Sequence, residues 1–441
     1  MLSNPVVISI VVLLALSLLR VNVVIALVIS ALTAGLCGGL GLGKTIEAFT
    51  GGLGGGAEVA MNYAMLGAFA IAISKSGITD LLAYKIITRM NKTPTGKNLA
   101  WFKYTLLSIL LLFAISSQNL LPVHIAFIPI VVPPLLSIFN RLKIDRRAVA
   151  CIITFGLTAT YMILPVGFGK IFIESVLVKN INLAGASLGL QTSVGEVSLA
   201  MLIPVSGMIL GLLTAVFVTY RKPREYVVTT TEPTTTEIEQ HIANIKPIQI
   251  TASAVAIVAT FATQLFTSST IIGGLVGLII FGVFGIFKLK ESNDIFQQGL
   301  RLMAMIGFVM INTTSGVKEL VDALSTGVIQ SKGVAAFLML LVGLLITMGI
   351  GSSFSTVPII TSIYVPLCLS FGFSPLATVA IVGVAAALGD AGSPASDSTL
   401  GPTSGLNIDG KHDHIWDSVV PTFIHYNIPL LAFGWIAAMT L

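Results

Sequence analysis

Runs of about 16–22 apolar residues recur along almost the whole of this chain, each long enough to cross the hydrocarbon layer of a bilayer as a helix. Within that layer a lipid-exposed segment has no water to bond to, so a helix must satisfy its own backbone. A β-barrel would instead show alternating segments of about ten residues. The chain is 441 residues long, 55% apolar and 10% charged, with a mean hydropathy of +0.97, too apolar for a soluble domain. The expected class is therefore an all-α polytopic membrane protein, with the lipid bilayer as its first partner. The leading run, Val6–Leu19, lacks a basic n-region and an A-x-A cleavage site, and reads as a retained helix. Cys37, Cys151 and Cys368 stand alone among apolar neighbours and read as packing residues. The net charge of +5 calls for no nucleic acid or other acidic partner.

Spans are expected at about 5–19, 23–42, 60–76, 148–168 and 198–220, then at about 248–266, 269–287, 302–316, 375–396 and 418–440. Two further apolar segments, about 101–138 and 333–372, are roughly twice the length of one span. Each is interrupted near its middle by polar residues and proline. The first interruption is Ser116-Ser117-Gln118-Asn119-Leu120-Leu121-Pro122. The second is Gly351-Ser352-Ser353-Phe354-Ser355-Thr356-Val357-Pro358. Basic residues flank the first segment on both sides: Lys85, Arg89, Lys92, Lys97 and Lys103 before it, Arg141, Lys143, Arg146 and Arg147 after it. Under the positive-inside rule both ends are cytoplasmic, which makes the segment a re-entrant hairpin with its tip near mid-membrane. The alternative is two full spans with Gln118 and Asn119 in a short external turn. The hairpin topology leaves Lys44, Lys170, Lys179, Lys318 and Lys332 outside and puts most of the 24 Lys and Arg at cytoplasmic loops.

The halves share an order of features. Ala148–Pro165 lies on Ala377–Pro394 without a gap, and each stretch follows a polar-tipped segment and ends in proline. Met65-Leu66-Gly67 leading to Ser76-Gly77 is matched by Met305-Ile306-Gly307 leading to Ser315-Gly316. The organisation expected is a first repeat over 1–220, a cytoplasmic linker over 221–247 and a second repeat over 248–441. Each repeat has about five transmembrane helices plus a re-entrant hairpin. An odd number of crossings turns the second copy upside down, giving two inverted-topology repeats with broken helices at about 148–168 and 375–396. In the linker, Arg221-Lys222-Pro223-Arg224-Glu225 is a basic membrane stop and Thr229–Thr236 a polar low-complexity run. Segments 78–91 and 289–301 read as interfacial.

The chemistry concentrates at Gly389–Thr399, GDAGSPASDST. Asp390 and Asp397 stand at membrane depth, where a carboxylate costs several kcal/mol unless it faces protein or water (about 3 kcal/mol on insertion scales). Gly392 and Pro394 break the helix and free backbone groups for an ion. Ser393, Ser396, Ser398 and Thr399 add hydroxyl oxygens, as ligands or as satisfiers of helix ends. Asp390 aligns with Tyr161 of the first copy, so the two copies differ chemically. A single carboxylate at this depth takes either a proton or Na+, the simplest basis for exchange. The competing reading makes Asp390 and Asp397 helix caps. Candidate oxygens also come from Ser116, Ser117, Gln118 and Asn119 in the first tip and from Ser352, Ser353, Ser355 and Thr356 in the second. Thr158, Thr160 and Tyr161 supply more in the first broken helix. Na+ is expected at Ser117, Asn119, Ser353 and Asp390. His124 reads as a proton-linked or a packing group, Asn312, Thr313 and Thr314 as cavity lining, His412 and His414 as surface residues, and His425 as interhelical. Gly51–Gly56 lacks the ending of a phosphate loop and reads as a close helix contact; no Walker A sequence occurs.

GDAGSPASDST resembles the signature of the NhaC-type Na+/H+ antiporter family at Gly389, Asp390, Ser393, Pro394, Ser396, Asp397, Ser398 and Thr399. Ser398 stands where that family often has Thr, and Ala391 where His is common. Gly51–Asp80 resembles a branch of the family described as amino-acid, including histidine, permeases. The resemblance implies the ion-transporter superfamily fold, alternating access and a homodimer.

The function expected is a secondary active transporter of the bacterial inner (plasma) membrane. It would use Na+ and/or H+ gradients to move a small molecule or ion, with no organic cofactor. The alternative is a Na+- or H+-coupled amino-acid carrier, histidine among the solutes. An ion channel is a more distant rival, which the paired interruptions disfavour. No Ser/His, HExxH or paired catalytic aspartate motif supports an enzyme.

Overall fold

The computed structural model describes residues 5–19, 21, 23–47, 50, 65, 68–69, 72–73, 75–77, 81, 97–119, 124–226, 247–267, 269–286 and 331–441. The span at 302–316, the interfacial segments 78–91 (except Leu81) and 289–301, Gly51–Gly56, the Thr229–Thr236 run and Asn312–Thr314 lie outside them. So does most of the span at 60–76, along with Pro122 and the side chains of His124 and Ser355.

The described elements are helical throughout. They are α1 (Pro5–Leu18), α2 (Val23–Cys37), α3 (Lys97–Asn119), α4 (His124–Arg141), α5 (Arg146–Thr158) and α6 (Phe168–Leu188). Then come α7 (Val194–Ala200), α8 (Leu202–Thr219), α9 (Pro247–Thr267) and α10 (Thr270–Val283). The chain closes with α11 (Lys332–Ile350), α12 (Ser353–Ser370), α13 (Pro375–Ala387), α14 (Asp397–Leu406) and α15 (His414–Thr440). Seven helical stretches among the described residues are long and apolar enough to cross a membrane. Both interrupted segments appear as helix pairs, α3–α4 and α11–α12. The arms α3 and α11 each have the length and hydropathy of a span.

One stretch explains how this chain carries carboxylates at depth. Pro375–Leu406 contains α13, the break and α14, and every residue of it except Pro375, Leu376 and Asp397 is buried inside the protein. It packs against α11 and α12 on one side and α15 on another, while α14 packs on α4 and α5. Its polar groups therefore meet protein rather than lipid, which is what makes them tolerable. The walls are small and apolar: Ala385, Ala386, Val382 and Val384 are fully buried. Gly343 of α11 approaches Ala385 so closely that an added Cβ would stand 2.5 Å from the Ala385 Cβ.

An ionic layer, buried at Arg146 and solvent-exposed at Lys143 and Glu225, closes one end. The Arg146 guanidinium, wholly buried at the start of α5, makes a two-point pair with Asp409 at 2.5 and 2.7 Å. It also donates to the Leu406 carbonyl at 2.9 Å and stacks on Tyr226. Arg224 pairs with Asp417 at 2.8 Å, and Lys143 with Glu225 at 2.5 Å. Residues 224–226 are thereby tied to the start of α15 at Asp417 and, through Arg146, to Asp409.

Candidate functional site

The break between α13 and α14 follows from its residues. Ser374 caps α13, accepting from the Ala377 N–H at 3.0 Å, and Pro375 takes the first helical position. The helix ends at Ala387, and Gly389 turns the chain with φ +90°, a conformation open to glycine and costly for other residues. Asp390–Gly392 make one tight turn. Ser393, held extended by Pro394 after it, leads to Ser396, which caps α14 by accepting from the Ser398 N–H at 3.2 Å. Asp397 is the first residue of α14, and Ser396 is the cap.

Four hydroxyls surround the Asp390 carboxylate. Tyr161 donates to Oδ2 at 2.7 Å and Ser353 at 3.0 Å, while Ser396 donates to Oδ1 at 2.5 Å and Ser398 lies 3.2 Å from it. The hydroxyls also touch one another: Tyr161 and Ser353 at 2.8 Å, Ser396 and Ser398 at 2.8 Å. Ser398 further reaches the Asp390 carbonyl at 2.8 Å. Asp390 is 6% exposed, and that exposure opens on a cavity of about 280 Å³. Asp397, Ser352, Gln118 and Thr158 line the same cavity, and Leu157, Phe168 and Phe354 form its apolar wall. Among the described residues, no Lys, Arg or His lines it. The Gln118 Oε1 and Asn119 Oδ1 atoms are buried and have no hydrogen-bond partner among the described residues.

The structure thus brings Asp390, Ser396, Ser398, Ser353 and Tyr161 into direct contact. Other candidate residues hold the frame. Ser393 donates to the Met348 carbonyl at 2.9 Å, and Thr399 to the carbonyls of Ser393 and Ser396 at 2.5 and 3.0 Å. Asn119 donates to Thr160 Oγ1 at 2.6 Å, tying the first tip to the end of α5. Ser117 and Thr158 bond back to their own helices, and Thr356 to the Ser352 carbonyl. Ser116 is half-buried and does not line the cavity. Gly167 permits the first tip to approach: an added Cβ would stand 1.9 Å from the Asn119 carbonyl oxygen.

Two residues expected at the surface are inside. His412 and His414 are 1% and 6% exposed. The 407–413 loop folds back under α14, so that His412 bonds Ser418 and His414 bonds Thr403 and the Pro394 carbonyl. Their charged neighbours in sequence read as a solvated loop, and it is the folding of that loop that buries them. His425 is interhelical, as expected, 2.9 Å from Thr219. Asn427 of α15 was not anticipated. Its Oδ1 accepts from the Gly389 N–H at 3.2 Å, and nothing local to its sequence marks it. The aromatic wall was also missed. Phe354 sits 4.7 Å from Phe168 and 5.1 Å from Phe172 between ring centroids.

Residues 152–435 match the model of a Na+/H+ antiporter family, and residues 4–90 match that of a Na+-H+ antiporter family. The chain belongs to the Na+/H+ antiporter family. Relatives of this Na+/H+ antiporter family member are bacterial proteins. One, an "Uncharacterized membrane protein" of Haemophilus influenzae, is 83% identical, covering 100% of both chains. Another, the "Putative amino acid transporter YuiF" of Bacillus subtilis, is 51% identical, covering 99% of this chain and all of its own. Among solved structures, Neisseria gonorrhoeae MtrF aligns with a TM-score of 0.44 at 15% identity, covering 91% of this chain and 85% of that one. The chain is a multi-pass membrane protein of a transporter family.

Proposed function

We propose that this protein is a secondary active transporter in which Asp390 binds the coupling cation, Na+ in one state and H+ in another. A shortage of hydrogens around the carboxylate carries this reading. Tyr161, Ser353 and Asp390 Oδ2 form a triangle with edges of 2.7, 2.8 and 3.0 Å, but two hydroxyls supply only two hydrogens. Ser396 and Ser398 repeat the pattern at Oδ1. Oxygens packed closer than their hydrogens allow repel unless positive charge joins them. A proton supplies one of the two missing hydrogens, and Na+ satisfies the same oxygens without any. Hydroxyl, carboxylate and amide oxygens suit a hard cation, and no group of three His, Cys, Asp or Glu stands together among the described residues.

In this reading residues 1–220 and 248–441 are inverted repeats, joined by the linker at 221–247, whose tips and breaks form one site. Alternating access would rock that site against a scaffold shared between two copies in a homodimer.

The cavity favours a second reading, coupled amino-acid transport. Its volume, about 280 Å³, exceeds what a bare ion needs, and its wall is aromatic. The name of the Bacillus subtilis relative points the same way.

The deciding test uses liposomes with an internal pH dye and clamped voltage. An outward-facing Na+ pulse should alkalinise the lumen, and Asp390→Asn should abolish the response. Folded protein without any response would move the assignment to solute transport, tested next by labelled amino-acid uptake.

A further inference from the structure

Pro394 has no N–H, so its carbonyl is its one polar backbone group, and it stands in the turn that delivers Ser396 and Ser398 to Asp390. His414 Nε2 lies 3.0 Å from that carbonyl. A carbonyl oxygen only accepts, so Nε2 must carry the hydrogen. The other ring nitrogen, Nδ1, is 2.8 Å from the Thr403 hydroxyl. Thr403 has three acceptors in reach: His414 Nδ1, Ser418 Oγ at 2.8 Å and the Thr399 carbonyl at 2.9 Å. Ser418 in turn meets His412 Nε2 at 2.8 Å. All four side chains are buried, with Thr403 and Ser418 wholly so.

We propose that His414 is a positioning residue of the cation site. Its Nε2–H holds the Pro394 carbonyl and so sets the Ser393–Ser396 turn, while Thr403, backed by Ser418 and His412, orients the ring. The opposite end of the break is held from the same helix, by Asn427 on the Gly389 N–H. α15 therefore grips the break at both ends, and the hydroxyls meet the carboxylate at a fixed spacing. Partners that orient a ligand group in this way typically matter about 10–100-fold to ion affinity.

The inference rests on the cation-site reading above, and the test separates the two. Full-length protein carrying 15N-histidine is measured in lipid nanodiscs, and Na+-driven flux is measured in liposomes. His414 should show a protonated Nε2 in the 15N spectrum; a bare Nε2 overturns the inference whatever the transport result. His414→Leu should raise the half-saturating Na+ concentration about tenfold with little change in maximal rate. His414→Gln, which keeps an N–H donor, should restore most of the affinity. Thr403→Val should shift affinity in the same direction with the imidazole still present. An unaltered Na+ dependence in His414→Leu, when wild type responds to Na+, overturns this inference alone. A folded wild type indifferent to Na+ overturns the cation-site reading and the positioning role with it.

Discussion

Tyr161 and Asp390, 229 residues apart, share a hydrogen bond of 2.7 Å that joins the end of the first broken helix to the middle of the second. The two positions align when the halves of the sequence are overlaid, and the fold puts them in contact. In the proposed mechanism their partnership would make the first half answer to the ionic state of the second. A bound cation or proton changes what the tyrosine hydroxyl meets, and the tyrosine belongs to the segment that runs on to Pro165 and α6.

Tyr161→Phe should keep the fold, because the ring still packs on Phe172 at 4.7 Å and Phe354 at 5.6 Å. It removes one of the oxygens that the proposed site offers Na+, and the loss of one polar contact to a charged group is worth about 1.5–3 kcal/mol. Apparent Na+ affinity should therefore fall at least about tenfold, read as the half-saturating concentration in liposome flux. Unchanged affinity would detach Tyr161 from the site.

Gly389→Ala tests the shape of the break. Beyond the strain of φ +90°, the new methyl would stand 2.7 Å from the Met348 nitrogen and 2.9 Å from the Leu344 carbonyl oxygen, both backbone atoms of α11. Neither can swing aside. Strained positions of this kind cost about 1–3 kcal/mol before any clash. The variant should show a clearly lower melting temperature in detergent and lose transport. An equally stable Gly389→Ala would mean that the turn is not held as described.

Much of this was legible in the chain. Apolar runs announced the helices, and the two polar interruptions announced the tips. Glycine and proline located the break at 389–394 to within a few residues. These are local signals, since a proline or a positive φ acts on the few residues beside it. What the chain hid were partnerships across distance. Arg146 and Asp409 are 263 residues apart, and each alone reads as an ordinary loop charge. His412 and His414 sit in a charged tetrapeptide, and only the folding of that loop beneath α14 buries them. Asn427 lies in an apolar helix with no mark of its function, and Phe168, Phe172 and Phe354 look like lipid-facing residues until the tips meet.

Asp409→Asn should be strongly destabilising. Burial raises the Asp409 carboxyl, but hydrogen bonds and charge from Arg146, with the Lys411 N–H, outweigh it and hold the group below the usual carboxylate range. A folded value below the unfolded one means stability that is present above about pH 4 and is lost as pH falls through the folded value. Removing the charge also leaves the buried Arg146 without its counter-ion; a fully buried pair would lose about 3–5 kcal/mol, and screening at the solvent-exposed Asp409 carboxylate brings this to about 1–3 kcal/mol. Thermal unfolding at pH 7 should show a large drop for Asp409→Asn, and the gap to wild type should narrow in acid. A drop of the same size at every pH would assign the effect to packing.

His412 should set the acid limb of stability. Burial pushes its imidazole down to about 3, with Asp417 opposing and Arg146, His414 and Arg224 assisting. The unfolded chain has an ordinary histidine there, near 6.5. Between those values the unfolded state binds one more proton than the folded state, so stability falls by about 1.4 kcal/mol per pH unit as the medium is acidified. Above about pH 7 the group contributes no slope. His412→Gln keeps a polar side chain but cannot titrate. It should be somewhat less stable than wild type at pH 7.5, since the contact with Ser418 is disturbed. Its melting temperature should then fall less steeply from pH 6.5 to pH 5, and the two curves should converge. Parallel curves over that interval would mean that His412 is charged or solvated in the folded protein, and that the loop beneath α14 opens.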